Sequence, residues 1–281
     1  MQLVLSLFPG IDLLGRGFEA QGFSIVRGPD LLWGGDVCSF HPPAGRFDGV
    51  IAGSPCQDFS CARRSVPPTG EGIELLREFL RVVAEARPAW FLLENVPGVP
   101  DVRIEGYTVQ RFDLRANECG GRQRRLRHFQ FGSREGLIIQ PERRTVTAKP
   151  EPCAMATEGQ QRERRTWADF CELQGLPRDF DLPGYSREAK YRAVGNGVPV
   201  VMARTIARAI RDAIGDINRH RITEVGLCAC GCGRVLIGRQ QAATPACRKR
   251  LERSRRDGRQ IVTRRRITAI EESQETVTDS L

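Results

Sequence analysis

No run of apolar residues in this sequence approaches the roughly 18 that a membrane-spanning helix needs, so we expect no membrane segment. The first apolar stretch, Leu3 to Phe8, has no basic region before it and runs directly into Pro9 and Gly10, which argues against a signal peptide. Lysine is also scarce, and this scarcity fits a GC-rich genome as well as it fits a function. Among the 43 basic residues, the only lysines are Lys149, Lys190 and Lys249.

Positive charge is unevenly distributed along the 281 residues, a length that suffices for one α/β domain of about 200 residues and a small appendage. The chain carries a formal net charge of +9. Residues 219–266 alone hold 14 basic residues against three acidic ones. This concentration near the C-terminus is typical of an appendage that binds nucleic acid.

The ten cysteines divide into a scattered set and a cluster. Without an export signal, the scattered cysteines are expected to be reduced thiols, which predicts a reducing, cytoplasmic compartment. The arginine-heavy composition is compatible with a bacterial or phage-infected host cell. The scattered cysteines are Cys38, Cys56, Cys61, Cys119, Cys153 and Cys171.

The clustered cysteines follow the spacing C-x-C-x-C-x14-C and comprise Cys228, Cys230, Cys232 and Cys247. Four thiolates around Zn²⁺ can fold a short segment that has too little core to fold alone, so we predict one structural zinc site in a module over residues 226–260. The basic segment RKRLERSRR after the last cysteine is compatible with a helix lying against phosphates. The alternative is a set of loose thiols in a disordered tail, and disorder is expected over residues 261–281.

Apolar patterning predicts strands that alternate with helices. Strands are expected at 3–8, 47–52 and 90–93, and helices over 11–22 and 73–86. This alternation predicts parallel βαβ units in a doubly wound sheet. Further strands are expected at 107–114 and 128–131, a loop region at 134–165, and helices at 166–173 and from Pro199 to Ile214.

Short polar motifs lie next to the ends of the predicted strands, where open α/β sheets place their sites. PCQ at 55–57 follows one strand, ENV at 94–96 follows another, and QRRLR at 123–127 precedes a third. FPG at 8–10 and GNGVP at 195–199 complete the set. Each motif alone is weak, but five in this order with the expected elements between them form a specific pattern.

With these five motifs, the sequence resembles the DNA cytosine-C5 methyltransferases from Leu3 to about Ile214. The resemblance implies a Rossmann-like α/β fold, in which residues 1–131 and 185–215 form the catalytic domain. Residues 132–184 would be a reduced target-recognition region, which predicts a site of only about two to four base pairs. The implied partner is double-stranded DNA, whose target base must be flipped out of the helix. Nothing in the sequence assigns an oligomeric state.

The resemblance also implies the catalytic residues. Cys56 would add to cytosine C6, with its thiol pKa lowered by the site, and Gln57 belongs to the same motif. Glu94 would act as a protonated acid on N3, which requires a raised pKa. Arg127, and less directly Arg125, would anchor the base carbonyl or an adjacent phosphate. Methyl transfer would be followed by loss of the C5 proton and release of Cys56.

S-adenosylmethionine is the cofactor that the resemblance implies. The turn at Phe8, Pro9 and Gly10 would approach it closely, Asp36 would meet the adenine amine, and Asp30 is the available acid for the ribose. Asp12, in a first motif that departs from the family's G-x-G-G, has the alternative role of a helix N-cap. The remaining implied contacts are Pro55, Asn196 and Val198.

Other interpretations remain open at the level of sequence. A tRNA cytosine methyltransferase would share PCQ and ENV, and its basic tail would suit either polymer. A catalytically weak DNA-binding regulator or decoy would fit the altered cofactor loop. The segment from Asp58 to Glu71 is predicted to be a mobile lid over DNA, the alternative being a surface connector.

Overall fold

The computed structural model describes residues 1–59, 67–144, 149–216, 225–237, 242 and 244–257. The chain divides into two compact units, Met1–Ile214 and Gly215–Leu281. In the part of the chain that the structure describes, no helix combines the length and apolarity needed to cross a bilayer.

The first unit is built on a six-stranded sheet with the strand order β2-β1-β3-β4-β6-β5. The first four strands in that order are parallel, and β6 is antiparallel to both β4 and β5. The parallel sheet predicted from the βαβ pattern is therefore correct for four strands, and a hairpin extends it. The strands are β1 (Leu3–Leu7), β2 (Ser24–Arg27), β3 (Gly49–Gly53), β4 (Trp90–Asn95), β5 (Thr108–Arg115) and β6 (Leu126–Ser133).

Helices cover both faces of this sheet, as a doubly wound fold requires. The helix α2 (Glu71–Ala86) packs Phe79 and Val83 against one face, and α5 (Val200–Asp216) packs its apolar stripe against the other. The helix α1 (Leu13–Glu19) lies on the same face as α5. Two further helices complete the unit, α3 (Trp167–Leu173) and α4 (Arg187–Asn196).

Two features of the first unit depart from the sequence pattern. The edge strand β2 was not predicted because it is short and only partly buried, so it shows no apolar alternation. Residues 149–184 pack with α4 inside the first unit, and Phe170 and Leu173 share a core with Tyr191 and Val194. The α3 boundaries match the prediction, since Thr166 caps the helix by accepting a hydrogen bond from the Asp169 backbone N–H.

The second unit combines a hairpin with one helix. Its strands β7 (Val225–Leu227) and β8 (Val235–Ile237) are antiparallel, and α6 (Pro245–Arg256) begins after Thr244. The helix predicted in the basic segment is therefore present, beginning two residues before Cys247. The expected disorder of residues 261–281 concerns positions outside the described residues.

Candidate active site

A cleft of about 550 Å³ opens where the parallel strands β1, β3 and β4 end, as expected for an open α/β sheet. The structure brings most of the predicted site residues together here. Those that line the cleft are Phe8, Asp30, Asp36, Pro55, Cys56, Gln57, Glu94, Arg127 and Asn196.

The register of β3 and β4 places the two key motifs side by side. Gly53, the last residue of β3, pairs with Glu94 in β4, so the PCQ turn leaves the sheet next to that carboxylate. A Cβ atom on Gly53 would lie 3.3 Å from Glu94 Oε2, tight enough to press on the carboxylate. The glycine therefore leaves room for a buried carboxylate beside Cys56.

Two contacts connect the loops that carry these motifs. The Asn95 side-chain amide donates hydrogen bonds to the backbone O and the Oγ of Ser54, at 3.1 and 2.9 Å. Gly98 packs against the backbone of Phe59 so closely that a Cβ atom there would lie 2.5 Å from the Phe59 carbonyl oxygen. The two loops therefore hold a fixed separation. Neither Ser54 nor Phe59 was predicted, because their role depends on strand register rather than on a motif.

Glu94 forms an ion pair with Arg127 inside the cleft. Arg127 Nε lies 2.8 Å from Glu94 Oε1, and the side chains are 14% and 8% exposed. Burial raises the pKa of the Glu94 carboxyl above its ordinary value, although Arg127 and Arg125 oppose the shift. The raised pKa agrees with the predicted acid role.

The Cys56 thiol differs from its prediction. Burial raises its pKa above the ordinary value, and the positive charge of Arg127 is the largest opposing influence. We predicted a lowered pKa. The prediction was wrong for this state of the protein because the loss of solvation outweighs the nearby arginine charge, part of which Glu94 already balances.

Arg125 occupies a different place from the one predicted. Its guanidinium is buried behind the residues that line the cleft and donates to the carbonyl oxygens of Ala154 and Gly195, at 3.0 and 2.7 Å. Gln123 is also fully buried and bonds to Gln174. These side chains hold Ala154 and the end of α4 against the sheet, and Arg125 Nε is buried without a hydrogen-bond partner among the described residues.

The opposite end of the cleft carries the predicted cofactor residues. Asp30 accepts hydrogen bonds from the backbone N–H groups of Gly10 and Leu32, at 2.7 and 2.8 Å, and thus holds the turn after β1. Asp36 accepts from the Cys38 backbone N–H at 2.9 Å. Trp33, which was not predicted, donates from Nε1 to the Gly10 carbonyl oxygen at 2.9 Å and remains 63% exposed.

Four of the predicted cofactor residues are not part of the cleft lining: Pro9, Gly10, Asp12 and Val198. The Asp12 side chain is buried, accepts from the Gly15 backbone N–H, and lies 2.9 Å from Arg27 Nε. It is the N-cap of α1, the alternative considered from sequence. Val198 is a core residue packed with α5.

The predicted lid is described only at its two ends, because residues 60–66 lie outside the described part of the chain, and Cys61 with them. Asp58 accepts hydrogen bonds from the backbone N–H groups of Thr69 and Gly72, at 3.0 and 2.9 Å. These bonds bring the two ends of the loop together at the beginning of α2.

The four clustered cysteines of the second unit converge as predicted. Their sulfur atoms all lie within 4.8 Å of one another, and Cys228, Cys232 and Cys247 are buried. The Cys228–Cys230 and Cys232–Cys247 sulfur separations are 3.5 and 3.6 Å. Four sulfurs each about 2.3 Å from one ion would have separations of this size.

The family model for C-5 cytosine-specific DNA methylases matches residues 39–166 and 157–212. This chain belongs to the C-5 cytosine-specific DNA methylase family. The Type II methyltransferase M.HgiDI of Herpetosiphon aurantiacus is 30% identical over 165 residues, covering 48% of this chain and 53% of the relative. M.FnuDI of Fusobacterium nucleatum is 32% identical over 170 residues, covering 48% of each chain. This methylase chain thus spans about half the length of these relatives.

Solved structures confirm the predicted fold of this family member. The Entamoeba histolytica methyltransferase EhMeth matches with a TM-score of 0.58 at 11% identity, covering 76% of this chain and 99% of that one. The S. pombe Dnmt2 methyltransferase matches with a TM-score of 0.52 at 15% identity, covering 75% of this chain and 99% of that one. At such identities the likeness concerns the fold alone.

Proposed function

We propose that this protein transfers a methyl group from S-adenosylmethionine to C5 of cytosine in double-stranded DNA. The observation that carries the proposal is the convergence of Cys56, Glu94 and Arg127 at one end of a cleft whose other end holds Asp30 and Asp36. A nucleophile, an acid and a cation face a space large enough for a base and a cofactor together.

The residues at the catalytic end suit addition to a cytosine ring. Cys56 loses its proton and its sulfur bonds to C6, while the protonated Glu94 carboxyl donates to N3 and stabilises the electrons displaced from C6. C5 thereby becomes nucleophilic. Arg127, positioned by Glu94, holds the base carbonyl. After methylation, loss of the C5 proton restores the ring as the Cys56 sulfur leaves C6.

The residues at the other end fit S-adenosylmethionine, which when bound supplies an electrophilic methyl group. Asp36 and Asp30 offer carboxylates for an amine and for hydroxyls, although Asp30 already accepts two backbone hydrogen bonds. Phe8 and Leu31 supply apolar lining for a flat ring. Asp12, Pro9, Gly10 and Val198 would act by shaping the turn and the core behind it.

The first experiment supplies labelled S-adenosylmethionine together with either duplex DNA or tRNA. We expect label in DNA, with none for Cys56→Ala and near-normal incorporation for the control Cys61→Ala. Label entering tRNA alone would favour the RNA methyltransferase alternative. If the unmodified protein binds DNA but transfers no label to it, the result would favour the regulator or decoy alternative.

For the second unit, we propose one structural Zn²⁺ held by Cys228, Cys230, Cys232 and Cys247. The convergence of the four sulfurs supports this, and thiolates are preferred zinc ligands. The basic helix α6 begins at this cluster and would bind DNA phosphates. Metal analysis of the purified full-length protein should find about one zinc per chain.

A further inference from the structure

The helix α6 presents basic side chains on every side except the one that faces the cysteine cluster. Cys247 and Leu251 are buried, four residues apart, and define its inner side. Lys249, Arg253 and Arg256 are exposed and, at about 100° per residue, fall on the opposite side. The same spacing places exposed Arg248 and Arg250 on the two flanks.

In the predicted target-recognition region, residues 132–184, several cations form ion pairs within the protein. Within residues 149–184, Arg165 pairs with Glu158 and Arg178 pairs with Asp169, while Glu151 pairs with Arg122 from outside the segment. Trp167 also donates from its indole N–H to the Phe180 carbonyl oxygen. These paired side chains stabilise the segment itself, and Arg162 and Arg164 are exposed beside them.

The dimensions of α6 fit the major groove of DNA. Its 12 residues span about 18 Å, and the groove is roughly 12 Å wide, enough to admit a helix. With the outer side inserted, Arg248 and Arg250 would face the phosphates on opposite walls. Arginine and lysine on the outer side are suited to guanine O6 and N7, and the exposed Glu252 beside them to cytosine N4.

We propose that α6 is a recognition helix that reads the major groove, and that Lys249, Arg253 and Arg256 select which cytosines the first unit methylates. This inference rests on the proposed function and assigns its target selection. Duplex RNA has a major groove too narrow and deep for such a helix, so the geometry favours DNA. The thiolate cluster would anchor the beginning of the helix.

The test uses the zinc-loaded full chain and a randomised DNA duplex library, read by bisulfite sequencing and, separately, by selection of bound duplexes. For Arg253→Ala and Arg256→Ala we expect preference at one or two base positions to fall by roughly 5- to 150-fold, the equivalent of 1–3 kcal/mol per base contact. The flank variants Arg248→Ala and Arg250→Ala are matched controls. They should weaken all sequences equally and reduce the salt dependence of binding.

The outcomes separate this inference from the proposed function. Alanine is compatible with an exposed helix position, and zinc content verifies that each variant is folded. If Arg253→Ala keeps the unmodified sequence preference in bound duplexes, α6 does not read bases. If binding preference shifts but no cytosine is methylated, the recognition helix stands and the proposed activity fails. If tRNA displaces bound duplex DNA as effectively as competing duplex DNA does, the proposal that α6 reads the major groove would also be overturned.

Discussion

Arg127 Nε lies 2.8 Å from Glu94 Oε1, and both side chains are largely buried in the cleft that contains Cys56. The Arg127 guanidinium therefore interacts with two acids: it pairs with the Glu94 carboxylate, and its charge stabilises the thiolate that Cys56 forms on losing its proton. Burial raises the pKa of both acids, which favours the protonated Glu94 carboxyl but makes the Cys56 thiolate, and with it the reactive form, a minor species at neutral pH. The pair thus controls how often the reactive form occurs.

The pH dependence of the reaction should reveal this arrangement. Rising pH increases the Cys56 thiolate but deprotonates Glu94, so between the two pKa values the effects cancel and kcat/KM stays flat. In Glu94→Gln only the thiol titrates, and kcat/KM should rise about tenfold per pH unit below the Cys56 pKa. Its absolute rate should be lower by about 10²–10⁴-fold. A flat profile for Glu94→Gln in single-turnover assays would contradict the assignment.

Arg127 should govern the reactivity of the Cys56 thiol. Because its charge is the largest influence that lowers the Cys56 pKa, Arg127→Gln should raise that pKa further. We expect alkylation of the Cys56 peptide, followed by mass spectrometry at mildly alkaline pH, to slow roughly three- to tenfold. Arg124→Gln, a change at an exposed residue three positions earlier, is the control and should alkylate like the unmodified protein.

Arg125 should contribute mainly to stability. Arg125→Met removes the donors that satisfy the carbonyl oxygens of Ala154 and Gly195, at a cost of about 2–3 kcal/mol in the free energy of unfolding. Urea denaturation of the variant measures this. Arg124→Met should change stability by less than about 0.5 kcal/mol. Equal stability of the two variants would contradict this structural role for Arg125.

Asp12 and Asp30 should separate folding from cofactor binding. Asp12→Ala removes the α1 N-cap and should lower stability by about 1–2 kcal/mol while leaving the Kd for S-adenosylmethionine nearly unchanged. Asp30→Ala should weaken cofactor binding in calorimetry, because that carboxylate lines the cleft and holds Gly10. A large loss of affinity for S-adenosylmethionine in a folded Asp12→Ala variant would indicate that Asp12 contributes to the cofactor site.

Metal removal should affect the second unit alone. Chelation or Cys247→Ser should release the zinc and weaken DNA binding, with a flatter salt dependence, because α6 loses its anchor. Methylation should persist at high DNA concentration. Cys153→Ser, a change in the first unit, should retain both metal and affinity. Unchanged DNA affinity in metal-free protein would refute the proposed role of the cluster.

Much of the fold could be predicted because its elements show strong periodicity. The apolar faces of α2 and α5 and the buried strands β1, β3 and β4 are visible in the pattern of residues. The strand β2 and the antiparallel direction of β6 were not predicted. A short, half-exposed edge strand shows no alternation, and strand direction depends on pairing between distant segments.

Site residues could be predicted where a sequence motif contains the residue types that the reaction needs. They could not be predicted where packing determines the position or the pKa of a side chain. PCQ and ENV located Cys56 and Glu94, since their residue types suit the reaction. Whether Arg125 enters the cleft, or whether burial outweighs charge at Cys56, depends on the environment after folding. Trp33 and Ser54 gave no signal in the sequence because their contacts join segments that meet only in the folded sheet.

The hydrogen bond between the Trp33 indole and the Gly10 carbonyl places an exposed tryptophan beside the turn after β1. Of the protein's three tryptophans, Trp90 is fully buried and Trp167 half-buried, so Trp33 is the one whose emission should respond to solvent at the cofactor turn. We expect occupancy of the cleft to alter its emission through the Gly10 turn, which Asp30 of the cleft lining also holds. Titration with S-adenosylmethionine should then be visible as a change in intrinsic fluorescence, without DNA, turnover or an added label.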